Sequence, residues 1–179
     1  PDMRREAETE EQRMQTLMEF FMYFNAITED RRKNPGEDVA SVIANAQIDG
    51  VQIGDLEAMS YYIIVATAGH DTTSSSTAGG LLALMQHPDQ FLKLRENPDI
   101  SHLTVDEAIR WVSPVKHFLR YATEDYELRG RQIREGDALM MLYPSGNRDE
   151  EVFDRADQFV ADRRPNRHLA FGHGAHHCL

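Results

Sequence analysis

The sequence predicts a mainly α fold with small β-sheets towards its C-terminal end, an α+β protein by class. Two observations carry this reading. From Asp55 the chain runs to His87-Pro88 without a clear break in helical pattern. From His117 onward it changes to short apolar runs separated by Gly-containing turns, the pattern of short strands. With 179 residues, 41% apolar and 27% charged, the chain has the composition of a globular domain with a real core. It shows neither internal repeat nor linker, so residues 1–179 read as one domain.

Taken in order, the first segment, Arg4 to Arg32, is a helix. Leu17, Phe20, Phe21 and Phe24 recur at i, i+3, i+4 and i+7 between charged flanks, and Lys33-Asn34-Pro35-Gly36 stops it. Asp38 caps a short helix reaching Ala46, and Asp49-Gly50 is a turn. The helix from Asp55 then covers ~32 residues, or ~48 Å, far above the mean helix length. Its middle is six consecutive hydroxyl residues, Thr72 to Thr77, followed by Gly79-Gly80. Such residues cost a helix a few tenths of a kcal/mol each, and Gly ~1 kcal/mol, so tertiary packing must hold it. Pro88 opens a third helix in the favoured first-turn position, ending near Glu96. A fourth runs from Ser101 to Val112 and stops before Ser113-Pro114. Phe118–Ala122, Tyr126–Leu128, Gln132–Ile133 and Ala138–Leu142 follow as strands, and residues 144–170 are mostly irregular.

The net charge of −11 argues against nonspecific nucleic-acid binding. No run approaches the ~18 apolar residues of a membrane span. The start, Pro1-Asp2-Met3-Arg4-Arg5, reads as neither signal peptide nor initiator. One cysteine allows no internal disulfide and suits a reducing compartment, so a cytoplasmic location is expected. The charge is uneven. Residues 161–179 hold Arg163, Arg164 and Arg167 against Asp162, so the basic end of an acidic chain coincides with its cysteine.

That cysteine lies in Phe171-Gly172-His173-Gly174-Ala175-His176-His177-Cys178-Leu179. A cysteine ligates iron only as thiolate. Gly172 and Gly174 permit φ > 0 and close approach to a flat ligand, and successive N–H groups of such a turn can converge on an anionic sulfur. A buried structural thiol is the ordinary alternative. A zinc site fits poorly, because adjacent His176, His177 and Cys178 side chains diverge, whereas zinc draws spaced pairs from separate segments.

The nonapeptide resembles the haem-ligand loop of the cytochrome P-450 superfamily, Phe-Gly-x-Gly-x-His-x-Cys. Three more segments follow the family's order: Ala68-Gly69-His70-Asp71-Thr72-Thr73, the oxygen-binding motif; Glu107-Ala108-Ile109-Arg110, the Glu-x-x-Arg pair; and Pro114 to Arg120, a Pro-x-x-x-x-x-Arg. The wording is similar to that of bacterial soluble members, the terpineol-hydroxylating group in particular. The resemblance implies haem b, with Cys178 as the metal ligand and Phe171, Gly172, Gly174, Ala68 and Gly69 around the cofactor. Arg120 and His176 are expected on the propionates, where the arginine fork suits a carboxylate; a solvated strand arginine is the alternative. Asp71 and Thr72 are the expected catalytic acid and alcohol, one relaying protons and the other hydrogen-bonding bound oxygen. The plainer reading of this stretch is a kinked, hydroxyl-rich helix. Ile64, Thr67, Ala68, Thr72, Val115 and Phe118 are expected towards substrate. Glu107, Arg110 and Arg163 are expected to form a structural triad.

What the resemblance implies for function is a monooxygenase that inserts one atom of molecular oxygen into a C–H bond of a small apolar substrate, of terpenoid, steroid or alkyl type. Electrons would come from NAD(P)H through a ferredoxin and its reductase, and a monomer is expected. The rivals are a peroxide-using or rearranging haem-thiolate enzyme, and a truncated product without haem. In the family's terms the chain is a C-terminal half, lacking the N-terminal half and the segment beyond the cysteine. Alone it is expected to bind no haem and to be inactive.

Overall fold

A computed structural model describes residues 9–179, so the expected helix start at Arg4 lies outside the described residues. The chain divides into two compact units, one ending at Gly69 and one beginning at His70.

In the first unit, Thr9 opens α1 (Glu10–Lys33) with a capping box. Its hydroxyl accepts the Gln12 N–H at 3.2 Å, and the Gln12 side chain accepts the Thr9 N–H at 2.8 Å. Asp38 caps α2 (Val39–Ala44) by accepting the Ser41 N–H at 2.7 Å. Asp49 and Gly50, at φ 52° and 79°, form the two-residue turn of an antiparallel hairpin, β1 (Gln47–Ile48) and β2 (Val51–Gln52). The sequence marks that turn, but two-residue strands are too short to alternate legibly. Phe24, Ile43, Ile53, Ala58 and Tyr62 make the core, with the rings of Phe24 and Tyr62 stacked at 5.1 Å. Burying each of the large side chains contributes roughly 1.5–3 kcal/mol. Of the apolar stripe on α1 only Phe24 is buried; Leu17 and Phe21 line an open groove with Met18, Met22, Met59 and Ile63. Arg32 is the polar clasp of this unit. Its guanidinium donates to Ala44 O at 3.1 Å, Ile53 O at 2.8 Å and the Asp55 carboxylate at 2.6 Å.

Helix α3 (Asp55–Gln86) has the length its sequence predicts and runs through the boundary between the units. Thr67 and Thr77 turn their hydroxyls back to the carbonyls four residues earlier, at 2.7 and 2.8 Å. In the second unit α4 (Pro88–Glu96) and a 3-10 turn lead to α5 (Ser101–Val112). Strand β3 (His117–Tyr121) starts one residue earlier than expected and pairs antiparallel with β6 (Ala138–Leu142), Arg120 opposite Leu139. A second ribbon joins β4 (Tyr126–Leu128) to β5 (Arg131–Ile133). After one turn of helix, α6 (Tyr143–Gly146), the chain is irregular except for a 3-10 turn at Gly174–His176. His87, Trp111 and Phe159 pack edge and face at 5.7–6.0 Å, joining the end of α3 to α5 and the irregular segment. No helix of the described residues is long and apolar enough to cross a membrane.

The unfavourable Gly79-Gly80 pair has its reason here. A Cβ on Gly79 would lie 2.5 Å from Val112 Cγ2, and one on Gly80 would lie 2.7 Å from the Ala108 Cβ. Bare backbone is what lets α3 meet α5. In an open helix, Gly→Ala gains ~1 kcal/mol. Gly80→Ala should instead destabilise the protein by about 1–3 kcal/mol through overpacking, since the Ala108 methyl has no rotamer to escape into. Adding Ala108→Gly should recover part of that loss. Urea midpoints of the single and double variants decide it, and a stabilised single variant would disprove the contact.

Candidate functional site

The centre of the second unit is a buried charge cluster. Glu107 and Arg110 are both wholly buried on α5 and meet bidentately, Nε to Oε2 at 2.7 Å and Nη2 to Oε1 at 2.8 Å. Arg163, from the irregular segment, donates Nε to the same carboxylate at 2.9 Å. Glu107 also accepts the Val160 N–H at 2.8 Å. Two guanidiniums against one carboxylate leave an excess of positive charge, and backbone carbonyls absorb it. Arg110 donates to Asn147 O, Ala156 O and Gln158 O at 2.6–2.9 Å. Arg163 reaches the carbonyls of Asp154, Arg155 and Gln158. All five Arg110 N–H groups are thus used, as a buried guanidinium requires. The Phe153 ring lies 5.3 Å from the Arg110 guanidinium and 5.9 Å from that of Arg163. Arg148 stacks on Trp111 at 4.7 Å; burial, helped by the charge of Arg110, lowers its pKa.

From this cluster the chain is tied forward to the cysteine. Asn147 accepts the Leu169 N–H on its side-chain oxygen at 2.6 Å. Leu169 O accepts from Gly172 N–H, and Phe171 O accepts from Cys178 N–H, each at 2.8 Å. Gly172 and Gly174 both sit at φ +72°, as the sequence predicts for this turn. A Cβ on Gly172 would come within 3.2 Å of His176 O. One expectation needs correction. The N–H groups of Gly172, His177 and Cys178 close the turn onto carbonyls, so they do not converge on the sulfur. The thiol itself is exposed. His168 packs its ring on Phe171 at 5.3 Å. Burial above all holds the His168 imidazole below its usual pKa; Arg110 adds to this, while Asp106 and Glu107 oppose it.

The remaining predicted residues lie outside this cluster. Arg120 on β3 donates to Leu119 O at 2.8 Å and lies over Phe118 at 5.8 Å; both residues are exposed, and Val115 just before them is half-buried. His176 is exposed on the turn. In the α3 segment of the second unit, Thr72 is half-buried and Asp71 is exposed, its carboxylate 2.9 Å from His70 Nδ1. Ile64, Thr67, Ala68 and Gly69 belong to the first unit, all exposed there. Among the described residues no three His, Cys, Asp or Glu side chains converge on a possible metal ion. Sequence reasoning missed Asn147, Ser113 and His168. Nothing in periodicity or spacing marks them; Ser113 and Leu169, the partners of the Asn147 side chain, come from distant segments.

An exposed thiol presented on a glycine turn has the donor and the access that a thiolate ligand of haem requires. The chain belongs to the cytochrome P450 family, which it matches over residues 1–179. It is 50% identical to Cytochrome P450-terp of a Pseudomonas species over 92% of the chain and 39% of that protein. It is 38% identical to Linalool 8-monooxygenase of Pseudomonas putida, over 91% of the chain and 40% of that protein. The crystal structure of CYP108D1 from Novosphingobium aromaticivorans superposes with a TM-score of 0.81 at 48% identity, covering 90% of this chain and 39% of that one. The chain thus spans about two-fifths of the length of the curated relatives it matches. Members of the family bind haem b through a cysteine thiolate.

Two outcomes follow from the cluster. Glu107→Gln leaves two buried guanidiniums without a counter-charge and should cost roughly 3–5 kcal/mol, measured by urea unfolding; a loss below about 1 kcal/mol would mean the carbonyls suffice. His168 titrates lower in the folded chain than its ordinary value of about 6.5. Below that pH the unfolded chain binds the extra proton, so stability should fall as pH drops through 6.5. His168→Gln should flatten this part of the profile; an unchanged pH dependence between 7.5 and 5.5 would refute the assignment.

Proposed function

We propose that the protein is a haem-thiolate monooxygenase that inserts one atom of molecular oxygen into a C–H bond of a small apolar substrate. The observation that carries this is the exposed Cys178 at the end of a glycine turn, itself tied back to the buried cluster. Thiolate-ligated haem, when bound, supplies an iron centre electron-rich enough to favour O–O cleavage. Cys178 would hold the iron of haem b. Phe171, Gly172, Gly174, Ala68 and Gly69 would surround the porphyrin, and Arg120 and His176 would pair with its propionates. Arg120 makes one backbone hydrogen bond, which leaves most of its guanidinium fork for a carboxylate.

Asp71 and Thr72 carry the proton chemistry. The Asp71 side chain is 91% exposed and linked to His70, which supports exchange with solvent. Thr72 follows it on the same helix and offers the hydroxyl that orients the last proton of the relay. An intact acid–alcohol pair favours oxygen-dependent chemistry over the peroxide-using alternative. Ile64, Thr67, Ala68, Thr72, Val115 and Phe118 are the substrate-facing set. Relatives named Linalool 8-monooxygenase and Steroid C26-monooxygenase support a terpenoid or steroid-sized apolar substrate. Electrons come from NAD(P)H through a ferredoxin and its reductase. Arg164, which donates to His102, and exposed Arg167 give the cysteine end the positive sign that an acidic carrier would meet. The protein acts as a cytoplasmic monomer, with no nucleic-acid partner.

Two measurements test this. In the haem-loaded protein, Cys178→Ser should abolish the red-shifted Soret band of the reduced carbon monoxide complex; survival of that band would remove Cys178 as ligand. Thr72→Ala should leave substrate affinity within about twofold while product formed per NAD(P)H falls and hydrogen peroxide rises, the mark of a group acting after substrate binding. Unchanged coupling would move the proton role elsewhere.

A further inference from the structure

We infer that Asn147 is a positioning residue for the cysteine ligand: its side-chain carbonyl holds the Leu169 N–H and so fixes where the turn presenting Cys178 begins. The inference rests on the reading of Cys178 as haem ligand. Asn147 is 0% exposed. Its backbone N–H donates to Tyr143 O at 2.8 Å and ends α6. Its backbone carbonyl accepts from Arg110 Nη1 at 2.6 Å, directly against the buried charge cluster. The side chain spans the gap to two other segments. Nδ2 donates to Ser113 Oγ at 2.8 Å, and Oδ1 accepts the Leu169 N–H at 2.6 Å. A backbone N–H can only donate, so the amide oxygen must face Leu169, and the orientation of the side chain is settled.

Both ends of this amide hold strained or irregular backbone. Ser113 sits at φ 43°, in the left-handed region, where a non-glycine residue costs of order 1–3 kcal/mol. It is kept there by its own bond to Arg110 O at 2.8 Å and by the bond from Asn147. Leu169 lies in a stretch without helix or strand, and Asn147 supplies the partner its N–H would otherwise lack. Gly146, the preceding residue, supports the Leu169 side chain, since a Cβ there would lie 3.0 Å from Leu169 Cδ1. The path then continues from Leu169 O to Gly172 N–H and from Phe171 O to Cys178 N–H. Asn147 thus hydrogen-bonds the Arg110 region directly to the backbone at the start of the cysteine turn, beside the longer contact of Asn166 Nδ2 with Glu107 at 3.4 Å. A residue that merely filled space would need neither the acceptor nor its orientation.

The test uses the full-length holoprotein and compares the reduced carbon monoxide spectra of wild type, Asn147→Ala and Asn147→Asp well below their melting temperatures. Losing one buried hydrogen bond should raise the ratio of unshifted to thiolate-shifted Soret intensity roughly tenfold in Asn147→Ala. Asn147→Asp keeps an acceptor for Leu169 and should restore a ratio close to wild type. If Asn147→Ala does not yield folded holoprotein, Asn147→Ser replaces it; its side chain is shorter than the amide whose Oδ1 accepts the Leu169 N–H, and the same rise is expected. A wild-type ratio in the alanine or serine variant, with only a lower melting temperature, would overturn the inference. A wild-type protein with no thiolate-shifted band would instead defeat the reading of Cys178, independently of Asn147.

Discussion

A single buried carboxylate organises the second unit. Glu107 accepts from Arg110 twice, from Arg163 and from the Val160 backbone. Removing a carboxylate from water costs several kcal/mol, and the attraction of the guanidiniums repays this only when every donor and lone pair is matched. That matching is the constraint. It forces the carbonyls of residues 147, 154, 155, 156 and 158 to turn inward, and this shapes a stretch with no ladder of its own. The irregular segment is thus held from its side-chain partners rather than by its own secondary structure.

Long, patterned elements were legible in the sequence. The 32-residue α3, the Pro88 helix start, the α5 boundary at Ser113 and the bounds of strands β3 and β6, though not their pairing, fell within a residue or so of expectation. Periodicity, caps and breakers act locally, so they can be read locally. By spacing alone Glu107-x-x-Arg110 is a commonplace helix pair, and only the family resemblance implied its triad with Arg163; its burial depends on carbonyls 37 to 48 residues away in sequence and on the Val160 N–H, 53 away. Asn147 is a stronger instance, because nothing near it announces that it will meet Leu169. The hairpin at residues 47–52 escaped for the opposite reason, having too few residues to show a pattern.

The candidate site divides the same way. Cys178, the glycines before it and the Asp71-Thr72 pair were named from the resemblance of their motifs to the family's. Gly79 and Gly80 looked like defects in a helix and prove to be its contact with α5. The loop N–H groups were expected around the sulfur, yet three of them close the turn instead. Residue type alone cannot say which of two acceptors a backbone donor will choose.

If side-chain acceptors hold this segment as firmly as a helix holds its own amides, hydrogen exchange will show it directly. The Val160 and Leu169 amides belong to neither helix nor strand, but they donate to buried Glu107 and Asn147. Under native conditions both should exchange as slowly as the interior amides of α5, opening only with the cooperative unit. Exchange of either at the rate of the exposed loop amides would contradict the claim that the buried carboxylate and its neighbour set the cysteine turn.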